Sequence, residues 1–329
     1  MVRKILVLWA GVLALALTES GWAASIVVAA SDSSAQGKAR ADYICDGTND
    51  QVELLASINA AGVYSVDVAD EPNHTMTVSC KGRHSVEWLA GSYNLGATLV
   101  IPEASDLSIQ AEGTYFTGPA SGSAVIVRGA NRCVYRFGNI SCRSGEATAA
   151  ALKIQPLATM PVVFSKIEYT GLSGLNHQSI GLQLDPSLGN ICYSRFKGTN
   201  IMNVHTGIQV NSAGQHCEGN WFWVSFVAEC LQCVYEQGGN VQKNFWEVNV
   251  DAWLDNAEAI RTGGSHGKWY VIMGTGGHEG INNALVLDPG ASHNVIEMHP
   301  PIENYVWQNN SGNTTNVILT TRRPPYVTP

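Results

Sequence analysis

The feature that most constrains this chain is a short pattern that recurs through residues 190–320. Five of its six occurrences open on Asn, and apolar residues then alternate with other residues. The occurrences begin 30, 24, 24, 26 and 22 residues apart, at Asn190, Asn220, Asn244, Lys268, Asn294 and Asn316. A period of this size is typical of a solenoid, in which each unit buries its apolar face only by stacking on its neighbours.

A second apolar run precedes the next repeat in most coils, for example at residues 181–184, 207–210 and 284–287. Weaker repeats begin near Asn131 and Met160, so the pattern predicts seven or eight coils with two strands each. Charged residues are only 14% of the chain, a composition that favours short strands and tight turns over exposed helices. The sequence therefore predicts an all-β solenoid.

One helix is predicted ahead of the coils, over residues 51–61. Thr48, Asn49 or Asp50 would cap its start, and Val52 and Ile58 belong to its apolar face. We expect this helix to cover the open end of the first coil, because an uncovered end exposes core and strand edges. A first strand is expected at residues 25–30.

Residues 41–53 read Ala-Asp-Tyr-Ile-Cys-Asp-Gly-Thr-Asn-Asp-Gln-Val-Glu, and residues 89–95 read Leu-Ala-Gly-Ser-Tyr-Asn-Leu. Together with the helix, they resemble the entrance to right-handed parallel β-helix proteins of the pectate-lyase-like superfamily. The resemblance implies a right-handed parallel β-helix with an N-terminal capping helix. It implies no single activity, since that superfamily includes lyases, hydrolases, esterases, epimerases and non-enzymatic adhesins.

The N-terminus is typical of a cleavable signal peptide. A basic start at Arg3 and Lys4 precedes an apolar run over residues 5–17, which is too short to span a bilayer comfortably. We therefore expect a secreted or periplasmic protein with no membrane contact once the signal is removed. The predicted organisation is a signal peptide (1–23), an N-terminal strand, capping helix and insertion (24–84), β-helix coils (85–320) and a C-terminal tail (321–329).

Net charge limits the classes of ligand that the protein can bind, and cysteine content raises the question of disulfides. A formal charge of −8 argues against nucleic acid, and it repels a polyanion unless a local basic patch or a bound cation intervenes. The eight cysteines permit disulfides in an exported chain, and the Cys230–Cys233 spacing is interpreted as buried or bridged thiols rather than a zinc site. The chain has no obvious C-terminal trimerisation segment, which favours a monomer and leaves a trimer open.

The repeat also predicts which side chains face outward. With the opening residue of each repeat numbered zero, even offsets point inward and odd offsets point outward. Offset +3 then contains Tyr193, Trp223, Glu247, Val271 and Glu297; offset +5 contains Arg195, Ser225, Asn249, Met273 and His299; offset +7 contains Lys197, Val227, Asp251 and Thr275. Aromatic rings with polar and charged groups on one face suit an extended sugar chain.

Three interpretations of this face remain open. A lyase acting on a uronate polymer would use Arg195, Lys197 or His299 as base or charge partner, with Ca²⁺ bound by Glu247 and Asp251. A glycoside hydrolase of the polygalacturonase-like type would use two carboxylates.

In that second interpretation the carboxylates are Glu247 and Glu297, roughly 10 Å apart from the strand spacing. In the third interpretation, the protein is a non-catalytic glycan-binding adhesin or a virus-fibre-like structural protein. Tyr193, Trp223, Asn249 and His278 are the candidate substrate-binding residues of this protein.

The remaining repeated residues are interpreted as structural. The Asn column should hydrogen-bond the backbone of the neighbouring turn, with Lys268 as its exception. Trp221, Phe245 and Trp269 at offset +1 are interpreted as an aromatic stack at a coil corner, with an external sugar platform as the alternative. His266 lies in a Gly-rich turn and is interpreted as a solvent-facing residue or part of a cleft wall.

Overall fold

The chain forms a parallel β-solenoid of about eight turns in the computed structural model, which describes residues 25–61, 84–175, 177–212, 214–251, 257–273, 281–299 and 307–320. The all-β solenoid predicted from the repeat is therefore confirmed. The predicted signal peptide, the insertion near residues 64–80 and the tail after residue 320 lie outside the described residues.

Two helices and 26 strands make up the described chain. The helices are α1 (Ala35–Ala39) and α2 (Gln51–Ala60). The first strands are β1 Ile26–Ala29, β2 Tyr43–Ile44, β3 His84–Trp88, β4 Gly91–Asn94, β5 Leu99–Ile101, β6 Ala104–Ser105, β7 Leu107–Thr117, β8 Val125–Val127, β9 Ala130–Asn131, β10 Val134–Ser141, β11 Ala150–Ile154, β12 Val162–Val163 and β13 Lys166–Ser173. The others are β14 Ile180–Leu184, β15 Ile191–Cys192, β16 Arg195–Asn211, β17 Cys217–Glu218, β18 Trp221–Gln237, β19 Val241–Gln242, β20 Phe245–Asp251, β21 Ala257–Thr262, β22 Lys268–Met273, β23 Ile281–Leu287, β24 Val295–His299, β25 Trp307–Asn309 and β26 Val317–Thr320.

Most of the strands stack in three parallel ladders along the solenoid. The first ladder joins β1, β3, β7, β10, β13, β16, β18, β20, β22, β24 and β26. The second joins β5, β8, β11, β14, β21, β23 and β25 through the second halves of β16 and β18. The third is a separate six-stranded sheet of two-residue strands, β6, β9, β12, β15, β17 and β19.

An aromatic stack fills the centre of the solenoid along the first ladder. Phe196, Phe222, Trp246 and Trp269 are buried on successive coils, with ring centroids 5.0, 3.8 and 4.8 Å apart. Near-parallel rings at the strand spacing are a direct result of in-register parallel pairing. Burying each large side chain contributes about 2–3 kcal/mol, so this stack is a main source of stability.

The predicted Asn ladder is confirmed from Asn220 onward. The Oδ1 atoms of Asn220, Asn244, Asn294 and Asn316 accept hydrogen bonds of 2.8–3.1 Å from backbone N–H groups of the preceding coil. The Nδ2 groups donate to backbone carbonyls, as from Asn294 to Gly264 at 2.9 Å. Each side chain thus joins two coils at the bend where the main chain cannot pair with itself.

Two repeats have a different register from the one that the sequence predicts. The ladder position before Asn220 is occupied by Ser194, whose N–H donates to Asn220 Oδ1, and not by Asn190, which lies four residues earlier beside His216. The position after Asn244 is occupied by Gly267 and not by Lys268. Ser and Gly replace Asn here because both fit a tight buried bend, and a Cβ on Gly267 would come within 3.0 Å of Asn294 Oδ1.

The predicted helix is α2, but its buried face differs from the expected one. Leu54 and Ile58 pack inward, whereas Val52 is 58% exposed. Asp50 precedes the helix, and its carboxylate accepts hydrogen bonds from the N–H groups of Gly47 and Asn94 instead of capping it. The helix packs against β1 and β5.

The seven described cysteines are all buried free thiols, so the disulfides that the sequence permits do not form among them. Cys80 lies outside the described residues. Cys230 and Cys233 on β18 are fully buried, in agreement with the buried-thiol interpretation. Within the described ranges, no helix is long and apolar enough to cross a membrane.

Candidate functional site

Two in-register columns of outward side chains run along the first ladder, and together they are called the outer face. They alternate with the buried aromatic stack, because successive residues of a strand point to opposite sides. The first column is Ser85, Ser108, Val134, Lys166, Arg195, Trp221, Phe245, Lys268, Val295 and Val317. The second is Glu87, Gln110, Arg136, Glu168, Lys197, Trp223, Glu247, Tyr270, Glu297 and Leu319.

The N-terminal part of the outer face is internally neutralised. Glu168 lies 2.8 Å from Arg136 Nε and 2.9 Å from Lys166 Nζ. Partial burial of Glu168 disfavours its ionised form, but the hydrogen bonds from Lys166 and Arg136 outweigh that cost and lower its pKa. These charges satisfy one another, which leaves little net attraction for a charged ligand.

The centre of the outer face combines cations with exposed indoles. The guanidinium carbon of Arg195 lies 5.7 Å from the ring centroid of Trp221, and Lys197 Nζ lies 4.9 Å from that of Trp223. Both indoles are more than half exposed, at 56% and 52%. Among the described residues, neither cation forms an ion pair with a carboxylate, so the positive charge here is held by ring contacts alone.

The C-terminal part of the outer face contains a groove of about 530 Å³. It is lined by Glu247, Tyr270 and Glu297 from one column and by Phe245, Lys268 and Val295 from the other, with part of Trp269. Tyr270 lies between the two glutamates in register, which places them two strand spacings, roughly 10 Å, apart.

His299 adjoins this groove from the next outward position of β24. Its Nε2 lies 3.1 Å from Glu297 Oε1, and its ring centroid lies 4.7 Å from that of Tyr270. Asn249 is two coils away in the same register, with the exposed Ile272 between them. An imidazole, a phenol and a carboxylate therefore meet at one end of the groove.

The predicted shared column of Trp223, Glu247 and Glu297 is confirmed. Arg195 and Lys197 also lie on the outer face, but at the offsets of Trp221 and Trp223 and not at the predicted +5 and +7. The reason is the shifted ladder position at Ser194, which moves these residues four places relative to the Asn190 count.

Other site predictions are wrong in placement. Tyr193 is at a coil corner outside both columns, where its ring stacks on Phe164 at 5.8 Å. Val227 is fully buried, since the strand register shifts between Val224 and Val227, and Asp251 is only 8% exposed. His278 and Thr275 lie outside the described residues.

Sequence reasoning missed Lys268 and Tyr270 as outer-face residues and placed Val271 and Met273 there instead. The structure buries Val271 and Met273 and leaves Ile272 exposed. The sequence does contain a signal for the correct placement. Trp269, Val271 and Met273 are alternating apolar residues, and they fall on the inward offsets only if the count in this coil starts at Gly267. Trp221, interpreted above as part of an aromatic stack at a coil corner with an external sugar platform as the alternative, lies on the outer face, where its ring centroid is 4.9 Å from that of Phe245.

The predicted Ca²⁺ ligands Glu247 and Asp251 do not lie on the same surface, because Asp251 is buried. Among the described residues, one group of three possible ligands occurs elsewhere, where atoms of Cys45, Asp50 and Glu53 lie within 4.8 Å of one another. Both carboxylate oxygens of Asp50 already accept backbone N–H groups there. Burial also raises the pKa of the Cys45 thiol, so this group is a structural one.

In comparisons with known proteins, the chain matches no family model, no curated protein and no solved structure. The functional argument therefore depends on the outer face itself.

Proposed function

We propose that the outer face binds an extended, acidic polysaccharide that contains uronate units. The observation that carries this proposal is the placement of Arg195 and Lys197 over two exposed indoles, without carboxylate partners among the described residues. On a chain with a net charge of −8, this is a local basic patch of the kind that a polyanion requires.

The indoles supply the second part of the binding surface. Trp221 and Trp223 are two residues apart on β18, so their rings are separated by about 7 Å along the strand. Large exposed aromatic side chains are unusual on a purely solvated face, and grouped ones mark binding sites. The exposed parts of these indoles would pack against the apolar faces of sugar rings while the neighbouring cations pair with the uronate carboxylates.

Cleavage by β-elimination in the C-terminal groove is the extension that the geometry favours. His299 would remove the proton on the carbon beside the uronate carboxylate, and that electron pair would form the new C=C bond. The C–O bond to the adjoining sugar would break as Tyr270 donates its phenolic proton to the leaving oxygen. Glu297, 3.1 Å from His299, would stabilise the protonated imidazole, and Lys268 would neutralise the substrate carboxylate.

Hydrolysis is less well supported by the same groove. Glu247 and Glu297 are roughly 10 Å apart, beyond the spacing of about 6.5–9.5 Å that an inverting hydrolase uses. If Ca²⁺ takes part in the lyase reaction, Glu247 would be its ligand from this chain, and the ion would help to neutralise the substrate carboxylate. The alternative to an enzyme is a binding module without catalysis. In that case the polysaccharide contacts only the centre of the outer face, at Arg195, Lys197, Trp221 and Trp223.

We also propose a superfamily, a role for the N-terminal helix and a cellular compartment. The entrance residues support membership of the pectate-lyase-like superfamily with a right-handed coil. Packing of α2 against β1 and β5 supports its role as an N-terminal cap. The predicted signal peptide at residues 1–23 supports export to a compartment that contains polysaccharides.

Binding is tested by affinity electrophoresis or calorimetry with polygalacturonate and alginate, and with a neutral glucan as the ligand control. Trp223→Ala should weaken binding about five- to tenfold through loss of a stacking platform. Leu188→Ala is the matched control, since Leu188 is similarly exposed but lies off the outer face. Equal affinity of the wild type and Trp223→Ala for every uronate polymer would refute the proposal.

Cleavage is tested by following the ultraviolet absorbance of unsaturated products, with and without Ca²⁺. Tyr270→Phe and His299→Gln should abolish product formation while leaving binding at the Trp223 patch intact. New reducing ends without absorbance would instead identify hydrolysis. Binding without either product would identify the module as non-catalytic.

A further inference from the structure

A third column of residues borders the outer face at the coil corner that precedes eight consecutive strands of the first ladder, β7 to β24. Every member adopts the left-handed backbone conformation, with φ between 51° and 66°. In register, the members are Asp106, Arg132, Phe164, Tyr193, Gly219, Lys243, His266 and His293. Non-glycine residues adopt this conformation infrequently, so eight successive coils share one specific corner.

Neighbours in this corner column interact in pairs. Asp106 and Arg132 form an ion pair at 2.7 Å, and Phe164 stacks on Tyr193. The pairing arises because equivalent corners lie one strand spacing apart and their side chains leave the backbone in the same direction. The last pair in the described part of the column joins two imidazoles.

His266 and His293 are both exposed, and their ring centroids are 4.7 Å apart with an interplanar angle of 4°. Their backbones are tied to the next coil. The N–H of His266 donates to Ser292 O at 2.9 Å, and the N–H of His293 donates to Thr315 Oγ1 at 3.0 Å. Two imidazoles are thus held side by side at a corner that backbone hydrogen bonds fix.

We propose that His266 and His293 form a two-histidine binding site for a divalent transition metal ion such as Cu²⁺, Ni²⁺ or Zn²⁺. Imidazole nitrogens bind these ions at about 2.0–2.1 Å, so two of them on one ion lie about 3 Å apart. Small side-chain rotations bring the ring edges from the stacked separation to that distance. Water or an incoming ligand occupies the remaining coordination positions. Among these ions we expect Cu²⁺ to bind most tightly, as it generally does among divalent first-row metal ions.

Lys243 occupies the adjacent corner on the other side of His266. Its charge opposes cation binding and would favour anion binding, so it distinguishes the two kinds of ligand. For a metal site, Lys243→Gln should raise affinity by about sevenfold, the effect in water of one unit charge on a divalent ion roughly 7 Å away, which is one and a half strand spacings. For an anion site, the same substitution lowers affinity.

The test is calorimetric titration of tag-free protein with each metal ion alone at pH 7.5. His266→Gln and His293→Gln should each weaken the tightest Cu²⁺ binding at least tenfold, because each leaves one imidazole ligand. His216→Gln is the matched control, since His216 is exposed but has no imidazole stacked on it in the described structure. Histidine NMR signals should broaden selectively for this pair.

Metal affinity should also fall at pH 5.5, because protons compete with the ion for the imidazole nitrogens. Unchanged Cu²⁺ affinity in both single variants, or an equal loss in His216→Gln, would overturn the proposal. So would a decrease in metal affinity on Lys243→Gln. The corner variants leave the Trp223 patch intact, so this result is independent of polysaccharide binding.

Discussion

Glu236 is a carboxyl group buried inside the solenoid, and its titration should make the folded state less stable as the pH rises. It accepts hydrogen bonds from Trp246 Nε1 at 2.9 Å, Thr262 Oγ1 at 2.7 Å and Asn244 Nδ2 at 3.5 Å. No cationic side chain pairs with it in the described structure. Desolvation by burial outweighs these hydrogen bonds and raises the pKa of Glu236 to about 7.

The sign and size of the effect follow from linkage. The folded state binds the Glu236 proton more tightly than the unfolded chain does, since the pKa rises from 4.5 to about 7. Stability is therefore greatest below the unfolded pKa and declines as the pH rises through the folded pKa. A difference of about 2.5 pKa units corresponds to roughly 3 kcal/mol, lost between about pH 4.5 and just above pH 7.

Glu236→Gln isolates this effect because the amide keeps the shape of the side chain, keeps the hydrogen bond from Trp246 and reverses the direction of the one with Thr262. Its carbonyl can accept from Trp246, and its amide can donate to Thr262 Oγ1, which also accepts the Gly264 N–H at 3.0 Å. We expect the unfolding midpoint of the variant to lose this pH dependence and to exceed that of the wild type at pH 8. Glu247→Gln, on the outer face, is the matched control and should follow the wild-type pH profile.

The measurement is urea unfolding at pH 5, 6, 7 and 8, followed by circular dichroism and by tryptophan fluorescence. Differences between variants cancel the titrations that all of them share. A solenoid can unfold in stages, so midpoints are compared where both probes coincide. Parallel wild-type and Glu236→Gln profiles would refute the assigned burial cost.

Two further predictions concern the interior of the solenoid. Trp246→Ala should lower the free energy of unfolding by about 3–5 kcal/mol in urea unfolding, because it interrupts the buried aromatic stack, and a loss below 1 kcal/mol would contradict that role. Asn294→Ala should cost about 1–3 kcal/mol, because it leaves the Gly267 N–H and the Gly264 carbonyl buried without partners. Hydrogen exchange should then accelerate first at Gly267, and uniform acceleration along the chain would contradict the ladder.

The coil register shows where sequence reasoning succeeds and where it fails. Asn220, Asn244 and Asn294 were identified correctly because Asn repeats at each of them. Ser194 and Gly267 were not, because the ladder position requires a small residue that tolerates a tight buried bend, and several residue types meet that requirement. A one-residue error in the count exchanges the two faces of a strand, which is why Tyr270 was expected inside and Val271 outside.

The repeat is sufficient to predict the solenoid, since a period of 22–30 residues with alternating apolar side chains has few other ways to bury its core. It also identified Trp223, Glu247 and Glu297 as members of one column. The tertiary structure decided which coil positions coincide, because stacking of the aromatic rings and corner hydrogen bonds sets the register across coils. That register alone brings Lys197 onto Trp223 and His266 onto His293.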